Sequence, residues 1–552
     1  MNDEKEKLRL SQSDLLNGFQ KEFSLTEFVT VYFSDYTEYH NYGIYCALIP
    51  VSQKNDVLLN PSWDLSHGGG LPGSVVYHSK GEEQVKYFRF GDDNGIEPLI
   101  FDLNFYGMRD DYLEISEEFR HFHHLFHDIK NNNYIKFDDD GNEAIVAIVE
   151  KNRIQIRAKE IRQFLSIKEM YLSIQFDCRE HSSLTLDNIG LKKGGDDFKT
   201  KHMCWGLHYG EFAGLSDCQS FSRLVGKRLI EPLHKSKSGV YGFADEPLKK
   251  YVEFIVNIDD VGDEFLFTSN PNSLSNYFGA NPDAPNYLTP IHFKKQVLEK
   301  YFQQPSKYSV EDSYLRCGSL WGLQMDNHHD NKVCVWLGDL GRDLPYGEQL
   351  HWRSYNIPPE GGVSKTFFKR QIAAQFADSD RPEHLFKMKY NELQKICDEF
   401  LGWKILLPLD QHDSHYFACL RIPSTNEQRD FDEQILSLTK ILIDSINEKK
   451  LNMLLKGSIS CEVDGSINKL EQVLVSIGVE DYENHIAFLR KLQNLRSSST
   501  AHRKGGNYQK IAKEFGIDSH DLISVFKEIL SKALKLLDFL IGLVREKKFS
   551  EN

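Results

Sequence analysis

Proline is scarce in this 552-residue sequence, at 17 residues, while Phe (36) and Tyr (25) are plentiful. Long disordered tracts, which are poor in aromatics, are therefore not expected. The nine cysteines are scattered and no two stand at CxxC spacing. That argues against both a zinc ribbon and a disulfide framework. No uncharged apolar run of about 18 residues occurs. The nearest stretch, Ile529 to Val544, is interrupted by Lys532, Lys535 and Asp538 and reads as an amphipathic helix. The opening residues, MNDEKEKLRLSQSD, contain no apolar core, so no secretory leader is expected. A cytoplasmic protein with reduced thiols and no membrane partner is the expectation. The pattern GxSxG is missing, so nothing suggests an α/β-hydrolase. The glycine-rich His67–Gly73 lacks the Lys-Ser/Thr of a phosphate-binding loop.

Positive charge is also in deficit, with a net charge of −15. Its distribution is uneven. From Asn426 onward there are 19 basic and 19 acidic residues, so the whole excess of acid lies before that point. Between Asn484 and Lys513 stand seven basic residues and no acidic one. A polyanion can be steered to such a stretch on an acidic protein, because surface fields act over about a Debye length, roughly 8 Å at physiological salt.

What is present divides into three parts, an α+β multidomain arrangement. Residues 1–200 read as β-rich. Short β-branched and aromatic runs recur at Phe28–Phe33, Gly43–Pro50, Val85–Phe90 and Ala144–Val149. Asp-Asn-Gly clusters at 92–95 and 138–141 mark turns. One helix is expected over Ile115–Ile129, and the polar Lys192–Lys201 reads as a linker. Residues 201–425 read as mixed α/β. Strands are expected at Val252–Ile258, Glu264–Thr268, Val333–Leu337 and Tyr416–Ile422. A helix is expected to start at Thr289-Pro290, and another to run from Pro382 to Leu401 with Gly402 as its cap. From 426 to 552 the apolar period becomes 3.6. Stripes at Ile435–Ile446, Leu470–Ile477, Phe488–Leu495 and Leu522–Val544 predict an all-α four-helix bundle. A shorter helix fits Tyr508–Phe515.

The third of those helices runs into NLRSSSTAHRKGGNYQK, Asn494 to Lys510. Arg followed by four to six residues and a His occurs three times in the chain, about as often as chance gives. Arg228…His234 contains Pro232, and Arg120…His127 sits beside Glu117, Glu118 and Asp128. Only Arg496…His502 lies in a bundle and in the acid-free basic stretch. An Arg and a His so spaced on the third helix of a four-helix bundle resemble the HEPN superfamily, over residues 426–552 alone. Many of its members are metal-independent ribonucleases of toxin, antiphage defence and CRISPR systems. The resemblance implies an RNA substrate, catalysis by Arg496 and His502, and a homodimer or larger homo-oligomer in which two such pairs face one cleft. Ser497, Arg503, Lys504 and Lys510 would then contact RNA.

The chemistry fits those residue types. A histidine can move a proton on or off the 2′-hydroxyl and 5′-oxygen near neutral pH. A guanidinium stabilises the charge that gathers on phosphate. The scheme needs no metal and no cofactor. On a regular helix Arg496 and His502 would stand about 240° apart. Either the helix breaks within Ser497–Thr500, where serines compete for backbone hydrogen bonds, or a second subunit completes the site.

Residues 1–425 would then be a sensing or docking region for a phage- or nucleotide-derived trigger, restraining the nuclease. The alternative is a non-catalytic assembly or RNA-binding protein with a ligand- or partner-binding N-terminal body. Two histidine-rich places compete for attention. His123 and His127 would share one face of a helix over Ile115–Ile129, where they could chelate a metal, but with no third ligand evident they read better as histidines of an exposed helix. Asp326-Asn327-His328-His329-Asp330 reads better as turn chemistry between strands.

Overall fold

A computed structural model describes residues 2–61, 73–79, 81–89, 95–212, 217–245, 248–455, 464–499 and 521–549, with 515 and 517. The chain divides into two compact units that part after Leu248, residues 139–141 going with the second. Mixed α/β structure, strand-rich in the first unit and helical toward the C-terminus, is what the composition led one to expect.

The first unit is built on one antiparallel sheet. From one edge its order is Gly194–Lys199, Met203–Glu211, Ser220–Ile230, Met170–Ser182, His40–Pro50, Phe28–Tyr36, Arg153–Arg157, Glu143–Val149, Asn133–Phe137 and Phe126–Asp128. Alternate side chains such as Val29, Val31, Ile154, Ile156, Leu172 and Ile174 fill one core. The helix Ala158–Lys168 covers it with Ile161, Phe164 and Leu165. Gly226 is required by close packing: a Cβ there would stand 2.7 Å from the Phe176 ring and 2.4 Å from the carbonyl of Cys204.

Three expectations for this region change. The boundary at residue 200 falls between paired strands, since Met203–Glu211 and Ser220–Ile230 extend the same sheet. The supposed linker is largely the edge strand Gly194–Lys199, exposed along its whole length. An edge strand can be polar on both faces because only one side is paired. The helix over Ile115–Ile129 is a strand, Tyr112–Ile115, a short helix, Glu117–Phe122, and a strand, Phe126–Asp128. Ser116 caps the helix by accepting from the Phe119 N–H, and His124 in the left-handed region (φ 50°) ends it.

The second unit holds two apolar cores. The first gathers around Phe254, Phe293, Tyr301 and Trp352. Strand Pro290–Lys294 lies there between Lys332–Trp336 and Asn356–Ile357, beside a meander of Tyr308–Glu311, Tyr314–Cys317 and Trp321–Gln324. Pro290 opens a strand, not the expected helix; a first strand residue needs no ladder donor. A buried carboxylate organises this core. Glu348 accepts from the hydroxyls of Tyr301 at 2.6 Å and Tyr308 at 3.3 Å and from Lys300 Nζ at 2.6 Å.

The second core is helical. It contains Pro382–Phe400, Gln428–Thr439 with a π-turn at Lys440–Asp444, Glu448–Leu455, Ser466–Ser476, Glu483–Ser499 and Leu522–Arg545. Pro382 sits in the first turn of its helix, and Gly402 (φ 69°) donates to the Cys397 carbonyl at its end. Asp521 caps the last helix by accepting from the Ser524 N–H. The expected strand Tyr416–Ile422 is a short helix, Ser414–Ala418, followed by irregular chain. The expected helix at Tyr508–Phe515 lies almost wholly outside the described residues.

The helical core does not begin at 426. Phe386, Tyr390, Leu393 and Cys397 of the Pro382–Phe400 helix pack in it with Phe526, Ile529 and Leu537 of the last helix. Leu393→Ala should therefore lower the unfolding free energy of the helical region by about 2–5 kcal/mol, measured by denaturant titration. A loss below about 1 kcal/mol would mean that the helix is peripheral.

Candidate functional site

Arg496 lies near the end of the helix Glu483–Ser499, which continues through Ser497 unbroken. The Ser497 hydroxyl donates back to the Gln493 carbonyl at 2.9 Å. The Arg496 guanidinium donates through Nη1 to both carboxylate oxygens of Asp444, at 2.8 and 3.0 Å. The π-turn that ends at Asp444 brings this carboxylate to it. Arg490 pairs with Glu471 at 2.6 Å and Asn468 at 2.8 Å. The basic stretch, free of acids along the chain, thus meets acids supplied by other helices. His502, Arg503, Lys504 and Lys510 lie outside the described residues, as do all but the last residue of the glycine-rich 67–73.

A cavity of about 450 Å³ lies in the second unit between its two cores. Small-molecule sites occupy roughly 300–1,000 Å³. Its lining is partly apolar, from Leu298, Tyr301, Val310, Phe417 and Leu420, and partly polar, from Lys295, Asp312, Asn327, His384, Lys387 and Asn391. Its two sides are tied by Arg421, which donates to Glu299 at 2.7 Å and Asp430 at 3.2 Å, and by Cys419 Sγ on the Phe302 carbonyl at 3.1 Å. Burial pushes Lys295 and Lys387 down to about 8. Lys387 Nζ donates to the Ala418 carbonyl at 2.8 Å. Near neutral pH both are cations for an anionic ligand, and each becomes a neutral amine slightly above it.

The segment Asp326–Asp330 joins strands Trp321–Gln324 and Lys332–Trp336, as expected, and Asp326 Oδ1 accepts from the His328 N–H at 3.3 Å as in an Asx-turn, but its side chains also reach other elements. Asp326 is fully buried and accepts from the Ser364 N–H at 2.5 Å and from His329 Nε2 at 3.2 Å. Asn327 holds the tip of the neighbouring hairpin by accepting from the Ser313 N–H at 3.1 Å and donating to the Glu311 carbonyl at 2.9 Å. His328 Nε2 stands 2.9 Å from Asp312 Oδ1 and 3.0 Å from Ser313 Oγ. Asp330 pairs with Arg381 and, at 3.0 Å, with Lys527 of the last helix.

His384, from the first turn of Pro382–Phe400, completes this cluster. Its Nδ1 is 3.5 Å from Asp312 Oδ1 and 3.0 Å from Ser379 Oγ. Burial drives His384 down to about 4, against the opposing pull of Glu383 and Asp312. Burial also works to raise the Asp312 carboxyl, but hydrogen bonds with His328 and Arg370 outweigh it and hold the group well below the carboxylate range.

His123 and His127 do not form a chelating pair. His123 is buried, with Nε2 2.9 Å from the Glu160 carbonyl oxygen. His127 lies on a different element, stacked on Tyr134. Among the described residues, the groups with metal-ligand geometry are Asp312–His328–His384 and Asp326–His329–Cys334. Asp312, His384 and Lys387 went unnoticed in the sequence because they are single residues spread over 76 positions. The one local signal was the His-His doublet between two aspartates.

No protein-family model matches the chain, no curated protein is detectably similar to it, and no solved structure matches its fold. Among the described residues, no helix is long and apolar enough to cross a membrane.

Lys387 should react with a small amine-acylating reagent with a midpoint near pH 8, whereas an ordinary lysine titrates near 10.5. Competitive labelling read by mass spectrometry checks this. A midpoint near 10.5 would show that Lys387 is not desolvated.

Proposed function

We propose that this chain is a ligand-controlled endoribonuclease acting in the cytoplasm as a homodimer or larger assembly. Its C-terminal helices carry the cleaving chemistry, and the cavity receives the signal that governs it. The observation that carries the control is the Pro382–Phe400 helix. His384, Lys387 and Asn391 on one side line the cavity, while Phe386, Tyr390 and Leu393 on another lie in the helical core. A ligand that prefers one setting of this helix shifts the helices packed against it, by as much as its affinity differs between settings.

The cleavage itself rests on the resemblance of residues 426–552 to HEPN ribonucleases. His502 would take the proton from the 2′-hydroxyl, or give one to the 5′-oxygen, and a freed Arg496 would bind the phosphate. The 2′-oxygen forms its bond to phosphorus as the bond to the 5′-oxygen breaks. Ser497, Arg503, Lys504 and Lys510 would hold flanking RNA. Antiphage defence or toxin-like growth arrest suits such a restrained nuclease, and a phage- or nucleotide-derived anion suits the lysine-lined cavity. A second reading, a non-catalytic assembly or RNA-binding protein, is favoured by the bidentate hold of Asp444 on Arg496.

RNA incubated with the purified chain should yield 5′-hydroxyl and 2′,3′-cyclic phosphate ends. Arg496→Ala and His502→Ala should each cut at least about 100-fold more slowly. Asn391→Trp, which puts bulk into the cavity, should change the rate about fivefold or more. Cleavage undiminished in the first two variants rules out the assigned site. A rate unmoved by the third separates the cavity from control.

A further inference from the structure

We infer that Asp312, His328 and His384 form a binding site for a divalent transition-metal ion, with zinc as the natural test ion, at the polar end of the cavity. The inference concerns the cavity and stands whether or not the C-terminal helices cut RNA.

The donor set is two imidazoles and one carboxylate, and their ligand atoms all lie within 4.8 Å of one another. Donors 2.0–2.2 Å from a tetrahedral zinc stand roughly 3.3–3.6 Å apart. Asp312 Oδ1 is 2.9 Å from His328 Nε2 and 3.5 Å from His384 Nδ1, so small side-chain adjustments admit an ion. Two ring nitrogens converge on one carboxylate oxygen.

The surroundings support the same assignment. Metal-binding carboxylates and histidines are oriented by hydrogen bonds from behind. Arg370 Nη2 holds the other Asp312 oxygen at 2.9 Å, while Oδ1, which accepts from Ser313 Oγ at 3.1 Å, is the oxygen that faces both rings. Ser379 Oγ lies 3.5 Å from His328 Nδ1, the nitrogen turned away from Asp312, and 3.0 Å from His384 Nδ1, where an ion would displace it. The ligands come from three separate elements: the tip of a hairpin, the loop before strand Lys332–Trp336, and the first turn of a long helix. Three protein ligands leave a coordination position open, as in catalytic rather than structural sites. Asp312 and His384 both line the cavity, so that position is accessible to an oxygen anion seated near Lys387.

The neighbouring group Asp326–His329–Cys334 is less suited. Asp326 Oδ2 already accepts from the Ser364 backbone N–H, and Cys334 is fully buried within a strand.

The full-length chain, stripped with chelator and dialysed against zinc or cobalt(II), tests this. Wild type should retain one equivalent, measured by plasma mass spectrometry. The cobalt form should show visible d–d bands of a nitrogen/oxygen site and no thiolate charge-transfer band. Losing an outer partner costs metal affinity 10–100-fold, so losing a ligand should cost at least about 100-fold. His384→Ala, whose side chain is 13% exposed, and Asp312→Asn should both show that loss with unchanged circular dichroism. Cys334→Ala should bind as wild type does. Equal zinc binding by wild type and both ligand variants would overturn the site. So would a thiolate band that vanishes in Cys334→Ala, or no retained metal in the wild type.

Discussion

The Pro382–Phe400 helix has to satisfy two environments at once. Phe386, Tyr390, Leu393 and Cys397 recur at spacings of four, three and four and are almost completely buried. His384, Lys387 and Asn391 recur at three and four on another side and stand on the cavity. The two sets are roughly a third of a turn apart at 100° per residue. Neither side can move alone, because a helix transmits rotation along its whole length. Helix caps reinforce this. Pro382 and Gly402 fix where it begins and ends, and the Arg421 ion pairs clamp the chain that returns past it. The cavity has this shape only while the helical core holds the helix in place.

The sequence made some of this legible and concealed the rest for identifiable reasons. The long helix could be read from its period and its end signals, Pro at one end and Gly at the other. Its membership of the C-terminal core could not, because the irregular stretch after it resembles a boundary. Period 3.6 also revealed the bundle stripes, since burial of one face is a local pattern. Sheet membership is not local. Strands Met203–Glu211 and Ser220–Ile230 follow a polar segment that looks like a linker, yet they complete the sheet begun before residue 60. A polar edge strand carries no alternation to read.

The same contrast governs the two sites. A count of charge along the chain found thirty residues without an acid. In space, Asp444 and Glu471 reach Arg496 and Arg490 from other helices. Charge segregation in sequence is therefore weaker evidence of a polyanion surface than it looked. The histidine doublet at 328–329 erred in the opposite direction. Read locally, it was turn chemistry. Its side chains in fact serve separate clusters, His328 with Asp312 and His329 with Asp326, because neighbours in an extended loop point to opposite sides.

Asp312 shows why that loop cannot be replaced by a simple turn. Its carboxylate is half enclosed and would be costly to keep charged there without compensation. Arg370 and His328 supply it from two directions, one on each oxygen. His384 adds no positive charge at neutral pH, because burial keeps it from binding a proton. An arginine-paired carboxylate therefore faces the cavity beside a neutral imidazole, and two lysines of reduced basicity line the same cavity. A cation bound near Asp312 and an anion near Lys387 would attract each other there, and that attraction would offset part of the desolvation cost of both. The helix that carries both His384 and Lys387 would register such a pair through two points one turn apart. Two anchors fix the rotation of a helix, where one fixes only a position.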